Sequence, residues 1–431
     1  MIVPSQRLLL AAAAIALPAT TIAGLFPALL PPCAAVLVAC AVAAAVDAVL
    51  GGDRLRALGI RTPGFVRLTK DVPGSFPVTL ENRTARSLTI RLAASIPAGV
   101  ESEQPMREVI AAPGISILDM PCTARARGDH ALRRLHVETP SPWGLWQVRG
   151  PRDVEFTFRV YPNLRDRATA SLFLKTAPGL RMRRQVGKGR EFDNLRHYLP
   201  GDNFEDIHWK ATARRAFPVV KLYRVEHAQE VYAIIDSSRL SAREGILESY
   251  VDAALHLAIV AERQGDKFGL VTFSDRTHRF VRARGGLGHF RVCRETIYNL
   301  RAERVSPDFR EVFTSLQLNL RRRSLLIFFT SLDDALLAET FERDVPLLAR
   351  RHLVLVNVTQ TASMKPLFTG AAPAGLDALY QGLGGQMLWN RMRALQIALQ
   401  HRGVKLSMVD PGRIKQRVTE EYLDVKRRQA L

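Results

Sequence analysis

The chain has 431 residues, of which 47% are hydrophobic, and its 61 Lys and Arg against 41 Asp and Glu give a formal net charge of +20. A single hydrophobic core rarely grows beyond about 250–300 residues, so this length predicts more than one folded unit. The four cysteines have neither the spacing of a metal site nor that of a disulfide framework, which is typical of a reducing compartment. They are Cys33, Cys40, Cys122 and Cys293.

The N-terminal region is strongly apolar. Residues 8–46 contain no charged side chain, and because one crossing of a bilayer takes about 20 residues, this stretch has room for two crossings. Pro31 and Pro32 lie where the chain would turn. A secretory signal peptide is the alternative, but its apolar region spans only about 7–15 residues. We therefore predict a transmembrane helical hairpin over residues 1–52, with the lipid bilayer as its partner.

The positive charges that flank this hairpin predict its orientation. Arg7 precedes the first span, Arg54, Arg56 and Arg61 follow the second, and the connection between the spans is uncharged. By the positive-inside rule both ends of the hairpin face the cytoplasm. We therefore expect the soluble regions to lie on the cytoplasmic side of the inner (plasma) membrane, where anionic lipid attracts the excess of basic residues.

A β-rich region is predicted over residues 60–165. Short β-branched and aromatic runs alternate there with Pro, Gly and Asn, which is typical of a small β-sandwich. We expect this sandwich to act as a spacer. The segment PSPWGLW at 140–146 is interpreted as a packed turn, and a ligand site around Trp143 and Trp146 is the alternative.

The C-terminal half changes to an α/β pattern over residues 228–431. The strand-like runs VYAIID, FGLVTF, LLIFFTS and HLVLVNVT alternate with segments of helical spacing. This alternation predicts a parallel sheet with helices on both faces. Because ligands of open α/β sheets bind beyond the carboxyl ends of the strands, we expect residues 236–241 and 330–334 to be neighbours at one functional edge.

A polar block over residues 180–226 separates these two regions. Its segment 191–214, EFDNLRHYLPGDNFEDIHWKATAR, is too polar for a core and too aromatic for a disordered linker. Because Trp and Arg often anchor interfaces, the block predicts a partner-binding surface. The alternatives are a salt-bridged surface without a partner, or an acid–base or metal centre built on His197 or His208. The predicted partner-binding residues are Glu191, Arg196, Asp202, Trp209, Lys210 and Arg214.

This block resembles the signature of a family of bacterial membrane-anchored proteins known as domain of unknown function fifty-eight. The segment RGDHALRRLHVETPSPWGLW at 127–146 and VYPNL at 160–164 are also similar to the family, so the resemblance covers most of the chain. It implies that residues 228–431 form a von Willebrand A-like (Rossmann-like) α/β domain. It also implies a partnership with MoxR-type AAA+ ATPases, because members are typically encoded near them.

The loop after VYAIID resembles the metal-ion-dependent adhesion site of von Willebrand A domains. That site combines an Asp-x-Ser-x-Ser loop with a Thr and an Asp from two further loops. Asp236 and Ser238 fit the first loop, but Leu240 stands at its last position and Ser241 follows one residue later.

The other two loops of that site also depart from the pattern. Ser331 stands where an Asp is expected, and Asp333 would replace it, while Ser306 or Asp308 would replace the Thr. Oxygen donors of this kind suit Mg²⁺, and the alternative is a residual site kept as a polar loop. The predicted metal ligands are Asp236, Ser238, Ser241 and Asp333.

Common catalytic motifs are missing from the sequence. It contains no GxxxxGK[ST], HExxH, GxSxG or CxxC motif, so we expect no ATP hydrolysis, no small-molecule substrate and no enzyme activity. We predict an adaptor that docks a MoxR-type ATPase, or another membrane or envelope-assembly protein, through Asp236, Ser238 and the 191–214 surface. One alternative is a metal-dependent hydrolase that uses carboxylates of the block with Asp236. The other is nucleic-acid binding, but the basic runs are scattered, so no specific nucleic acid is expected.

Overall fold

The structure is a computed structural model, and the chain divides into two compact units, Met1–Asn163 and Leu164–Leu431. Each unit is described by itself. The described residues are 1–163, 186–200, 202–215, 217–224, 228–243, 245–361, 364, 366 and 376–428.

Two long apolar helices begin the first unit. Helix α1 (Gln6–Leu25) starts after Ser5, whose Oγ accepts a hydrogen bond from the Leu8 amide at 3.2 Å. A short 3-10 turn (Pro27–Leu29) leads into helix α2 (Leu30–Arg56). Both helices are long and apolar enough to cross a membrane, and every side chain of α1 is at least partly exposed. The predicted pair of apolar helices is therefore present, and it could span a bilayer.

The rest of the first unit consists of two sheets that share one core. One sheet has the order β1-β10-β9-β5-β7, with β3 also paired to β10, and the other has the order β2-β4-β8-β6. The strands are β1 (Ile2–Pro4), β2 (Leu58–Arg61), β3 (Phe65–Thr69), β4 (Pro73–Asn82), β5 (Leu88–Ala94), β6 (Val100–Glu101), β7 (Met106–Ala111), β8 (Gly114–Ala124), β9 (Gly128–Pro140) and β10 (Trp146–Tyr161).

Alternation of apolar and polar residues along these strands produces the shared core. In β4 the side chains of Phe76, Val78 and Leu80 are fully buried, while the residues between them are partly exposed, because successive strand residues point to opposite faces. From the other sheet, Phe156 and Phe158 pack against Phe76, with ring centroids 5.4 and 5.1 Å away. The β-rich region that the sequence predicts is therefore present.

The predicted packed turn at 140–146 encloses a buried aspartate of helix α2. The Asp47 carboxylate accepts hydrogen bonds from Ser141 Oγ at 2.5 Å, the Trp143 amide at 2.9 Å and the Leu145 amide at 3.2 Å. In the opposite direction, Trp146 Nε1 donates to the Ala44 carbonyl of α2 at 2.7 Å. The hydroxyl and the two amides of the turn, together with the Trp146 indole, thus fix the C-terminal half of α2 to the two-sheet core.

The second unit contains a six-stranded α/β sheet of order β15-β14-β13-β16-β17-β18. The described pairs are parallel except β14 with β15, which is antiparallel. The edge strand β15 and the N-terminal strand β1 are additions that the sequence pattern did not predict. The strands are β13 (Glu230–Asp236), β14 (Lys267–Phe273), β15 (Thr277–Arg284), β16 (Leu325–Thr330), β17 (Leu353–Thr359) and β18 (Val404–Val409).

Helices cover both faces of this sheet. Alternate residues of β13 divide between two buried clusters: Val231, Ala233 and Ile235 belong to one, and Tyr232 and Ile234 to the other. A strand buried on both sides is therefore apolar throughout, as its sequence is. The helices are α4 (Ile246–Arg263), α5 (Leu287–Ile297), α6 (Phe309–Asn319), α7 (Ala335–Asp344), α8 (Pro346–Ala349), α9 (Leu376–His401) and α10 (Ile414–Arg427), with short 3-10 turns at Arg239–Ala242 and Pro411–Arg413.

The polar block of the second unit includes a hairpin. Strands β11 (Val186–His197) and β12 (Val219–Arg224) pair in antiparallel fashion. A 3-10 turn (Phe204–Asp206) and helix α3 (Trp209–Arg215) lie in the connection between them. Most residues of the predicted surface therefore lie in regular, hydrogen-bonded secondary structure.

Candidate functional site

The end of the central strand β13 places Asp236 at the carboxyl edge of the sheet. Its side chain is fully buried. One carboxylate oxygen accepts a hydrogen bond from Thr330 Oγ1 at 2.6 Å, and the other accepts one from the Ser238 amide at 2.8 Å. Burial raises the pKa of the Asp236 carboxyl, and the Thr330 and Ser238 hydrogen bonds oppose that rise. A further cation or hydrogen-bond donor near Asp236 would therefore stabilise its charged form.

The three serines that follow Asp236 have different roles. Ser237 Oγ donates to the Phe273 carbonyl at 2.8 Å, and this bond links the ends of β13 and β14. Ser238 Oγ accepts from the Leu240 amide at 3.3 Å and caps the 3-10 turn. Ser241 is buried, and among the described residues its Oγ has no hydrogen-bond partner. Ser238 is thus held beside Asp236 by its amide, and the Ser241 amide donates to the Ser238 carbonyl at 3.0 Å.

The end of β16 supplies a hydroxyl that the sequence analysis placed at this edge, within 330–334, but did not assign to the Thr position. Thr330, the last residue of LLIFFT, directly contacts Asp236, and its carbonyl accepts a hydrogen bond from the Tyr250 hydroxyl at 2.8 Å. Burial raises the pKa of Tyr250. The two residues suggested for the Thr position lie elsewhere: Ser306 Oγ accepts from Arg239 Nε at 3.0 Å, and Asp308 caps helix α6. The signal for Thr330 was its place at the end of a strand next to β13.

Two arginines of the β13 loop pair with the acids of the β16 loop. Arg243 lies 2.5 Å from Asp333, which also accepts a hydrogen bond from Ser331 Oγ at 2.7 Å. Arg239 lies 2.8 Å from Asp334, the N-cap of helix α7, and this pairing holds the pKa of Asp334 below its usual value. The predicted ligand Asp333 is therefore already paired with a guanidinium group.

The donor set decides what this edge offers to a hard cation. Mg²⁺ takes octahedral oxygen ligands and usually keeps several waters beside one or two carboxylates. Asp236 supplies one carboxylate with hydroxyls nearby, Leu240 supplies no donor, and Arg243 competes for Asp333. Asp236 and the hydroxyls of Ser238 and Ser241 would therefore be the groups that hold such an ion.

The predicted residues of the polar block separate into two groups. Arg196 and Asp202 form an ion pair at 2.7 Å, and Asp202 also accepts a hydrogen bond from the Leu199 amide at 2.9 Å. The bond from that amide, helped by Arg196, lowers the pKa of Asp202. This pair fixes the shape of the loop. The Glu191 side chain lies outside the described residues.

The second group is exposed on helix α3. Trp209 is 68% exposed, and Lys210 and Arg214 are also exposed. Sequence reasoning missed two apolar neighbours in the same block, Leu199 at 57% and Phe204 at 72% exposure. Large apolar side chains left in water next to charged residues are the composition of an interface rather than of a core.

The two histidines proposed for acid–base chemistry have structural contacts. His208 Nδ1 accepts a hydrogen bond from the Ala211 amide at 3.1 Å, at the start of helix α3. The His197 ring stacks on Phe217 with 4.3 Å between the ring centroids. Each histidine therefore has a local structural contact within the polar block.

Comparisons with known proteins support the family resemblance. Residues 194–368 match the family model described as "Protein of unknown function DUF58", a narrower range than the resemblance predicted. No curated protein matches the chain.

Solved structures with local similarity include the SpRpn10 VWA domain, at 12% identity over 43% of this chain and 89% of that chain, with a TM-score of 0.27. The ASH/PapD-like domain 7 of human CEP192 is similar at 14% identity over 25% of this chain and 87% of that chain, with a TM-score of 0.19. WR4, an MSP family member of C. elegans, is similar at 11% identity over 24% and 97%, with a TM-score of 0.17.

Proposed function

We propose that this protein is a membrane-anchored interaction protein whose polar block docks a cytoplasmic partner. The observation that carries the proposal is the exposure of Leu199, Phe204 and Trp209 within a hydrogen-bonded loop. Such side chains lose water-exposed apolar area when a partner covers them, and Trp is the residue most often found at the energetic centre of an interface. The loop is already ordered by Asp202, so little conformational entropy is lost on binding.

The partner that we propose is a MoxR-type AAA+ ATPase, or another membrane or envelope-assembly protein. Its support is the family resemblance, together with the exposed cations Lys210 and Arg214 on helix α3. These two charges favour an acidic surface on the partner and would raise the rate of association at low salt. In this proposal α1 and α2 anchor the chain in the inner membrane, and the soluble regions lie in the cytoplasm.

A binding experiment with purified proteins tests the docking surface. The full chain in detergent is immobilised, and binding of the MoxR-type ATPase from the same genome is measured for the wild type and for Trp209→Ala and Phe204→Ala. We expect each substitution to weaken binding by about tenfold or more, because hot-spot truncations cost about 2 kcal/mol.

The control for this experiment is Leu318→Ala. Leu318 is 79% exposed in helix α6 of the same unit, so its truncation removes comparable exposed apolar area outside the block. Equal affinities for all four proteins would refute the proposed surface.

A metal-dependent contribution at the Asp236 edge stays a proposal. Burial destabilises the charged form of Asp236 and so raises its pKa. A bound cation would offset that cost, and Mg²⁺ would bind Asp236 together with the neighbouring hydroxyls. Calorimetric titration with Mg²⁺ and Mn²⁺, repeated on Asp236→Ala, measures this directly. Hydrolysis remains an untested alternative, for which loss of turnover in Asp202→Ala or Asp236→Ala would be the evidence.

A further inference from the structure

A second polar cluster lies at the carboxyl end of β14, next to β13. Its centre is the fully buried Ser274, whose Oγ lies 2.8 Å from Asp275 Oδ1, 2.7 Å from His278 Nε2 and 3.0 Å from Glu303 Oε2. The ligand atoms of Asp275, His278 and Glu303 all lie within 4.8 Å of one another. The cluster therefore converges two carboxylates, one imidazole nitrogen and one hydroxyl.

Two chain segments build this cluster. The turn between β14 and β15 is closed by the Ser274 amide, which donates to the Arg276 carbonyl at 3.0 Å, and it brings Asp275 and His278 to one side. Glu303 comes from the segment before helix α6, and its amide donates to the Ser237 carbonyl at 2.7 Å. This backbone bond joins the cluster to the loop that holds Asp236.

The single hydroxyl proton of Ser274 limits how the groups of this cluster can pair. A serine hydroxyl has one proton, and ionised carboxylates only accept. One proton of Ser274 therefore cannot serve Asp275, Glu303 and an unprotonated His278 Nε2 at the same time. With the proton on Nε2, His278 pairs with Glu303, 3.4 Å away; with the proton on the other ring nitrogen, Nε2 is a free ligand that faces the two carboxylates.

We propose that Asp275, His278 and Glu303 bind a divalent transition-metal ion, with Zn²⁺ as the best match, while the Ser274 hydroxyl donates to one of the two carboxylates. Zinc binds imidazole nitrogen and carboxylate oxygen at about 2.0–2.2 Å in tetrahedral geometry, which places ligand atoms roughly 3.3–3.5 Å apart. His278 Nε2 and Glu303 Oε2 are 3.4 Å apart, and the ligand atoms of all three residues lie within 4.8 Å of one another. The imidazole distinguishes this site from the oxygen-only donors at Asp236, since hard ions such as Mg²⁺ prefer oxygen.

The ion would clip the β14–β15 turn to the segment before helix α6. Asp275 and Glu303 are exposed, so the ion can enter from solvent and can keep a water or accept a carboxylate from a partner. Binding by the folded state alone stabilises the protein in proportion to the logarithm of free metal. This role is independent of the docking surface on helix α3 and of the Asp236 edge.

Calorimetric titration with Zn²⁺ on the full chain in detergent, after treatment with a chelator, tests the site. We expect one ion per chain in the wild type and binding at least about tenfold weaker in His278→Ala and Asp275→Asn, because loss of even an outer-shell partner costs about that much. His401→Ala, which removes an exposed histidine at the end of helix α9, is expected to bind as the wild type does. Asp236→Ala should also retain zinc, which separates this site from the proposed magnesium site.

A second readout does not depend on the alanine variant folding. His278→Gln keeps an amide group within reach of Ser274 but is a poor zinc ligand, so its metal-free melting temperature should stay near that of the wild type while the rise caused by Zn²⁺ disappears. X-ray absorption at the zinc edge should show one nitrogen neighbour with oxygens. An absence of zinc binding, or equal binding in His278→Gln, Asp275→Asn and the wild type, would overturn the proposal.

Discussion

Asp47 and Asp236 are both fully buried, yet the surroundings of the two carboxylates differ. Asp47, in helix α2, is enclosed by the turn at 140–146, whose hydroxyl and two amides all point to it. Asp236 is held by Thr330 and Ser238 at an edge where exposed arginines pair with further acids. Burial of a carboxylate alone therefore does not indicate a binding site. The neighbouring side chains must also be able to give up their present hydrogen bonds and ion pairs when a ligand binds.

The contacts around the two carboxylates also differ in kind. The turn fixes α2 to the two-sheet core, and a side chain at Gly51 would meet Val148 Cγ2 at 2.9 Å, so the contact leaves no room for change. At the Asp236 edge, the Arg243–Asp333 pair is 46% exposed at the arginine but only 9% exposed at the aspartate, so opening the pair leaves a nearly buried carboxylate with fewer partners.

Removal of the Asp47 carboxylate should have the largest effect. Asp47→Ala leaves the buried Ser141 Oγ and two partly buried amides without their acceptor, and since an unsatisfied buried group costs about 1–3 kcal/mol, we expect the free energy of unfolding of the first unit to fall by about 3 kcal/mol. Urea unfolding in detergent and hydrogen exchange of the Trp143 and Leu145 amides measure it. Asp53→Ala is the control on the same helix, because its ion pair with Arg56 is exposed and is worth less than about 1 kcal/mol. Similar effects of the two variants would show that the turn does not depend on Asp47.

Neutralisation of Asp236 should have a smaller effect that depends on pH. Burial raises the folded-state pKa above the value of 3.8 for an exposed aspartate, so the folded state keeps a proton that the unfolded state has released. The stability linked to that proton is complete below pH 3.8 and is lost as pH rises through the folded pKa. Asp236→Asn cannot lose it. We therefore expect the stability of the wild type relative to Asp236→Asn, from urea unfolding at several pH values, to fall as pH rises from about 4 and then to level off. A difference independent of pH would contradict the raised pKa.

Release of Asp333 should have the smallest effect on stability. Arg243→Ala removes the partner of an Asp333 side chain that is only 9% exposed, so we expect a loss of about 1 kcal/mol, the upper end of the range for surface ion pairs. The same variant frees a second carboxylate near Asp236, and we expect Mn²⁺ affinity at this edge, measured by calorimetry, to rise. Arg282→Ala, an exposed arginine of β15, should change neither quantity. Unchanged Mn²⁺ binding in Arg243→Ala would mean that Asp333 does not face the ion.

Much of the architecture could be predicted from local patterns. The uncharged run at 8–46 predicts two apolar helices because it has the length of two bilayer crossings. Apolar side chains on every face of a helix are stable only in contact with lipid or other apolar groups. Continuous apolar runs such as VYAIID predict strands buried on both faces, and the sheet order then places Asp236 at the edge. The strand β15 was missed because its THRFVRAR sequence is half exposed and highly charged, as suits an edge strand.

The candidate sites depended on tertiary structure. The bond between Thr330 and Asp236 joins residues 94 positions apart, as does the bond between Ser141 and Asp47. The Ser274 cluster likewise needs Glu303, 29 positions away. Sequence determined which segments are helix or strand, because side-chain periodicity is a local property. Only the folded chain decided which acid is enclosed, which is paired with arginine and which converges with a histidine, because those contacts depend on how distant segments pack.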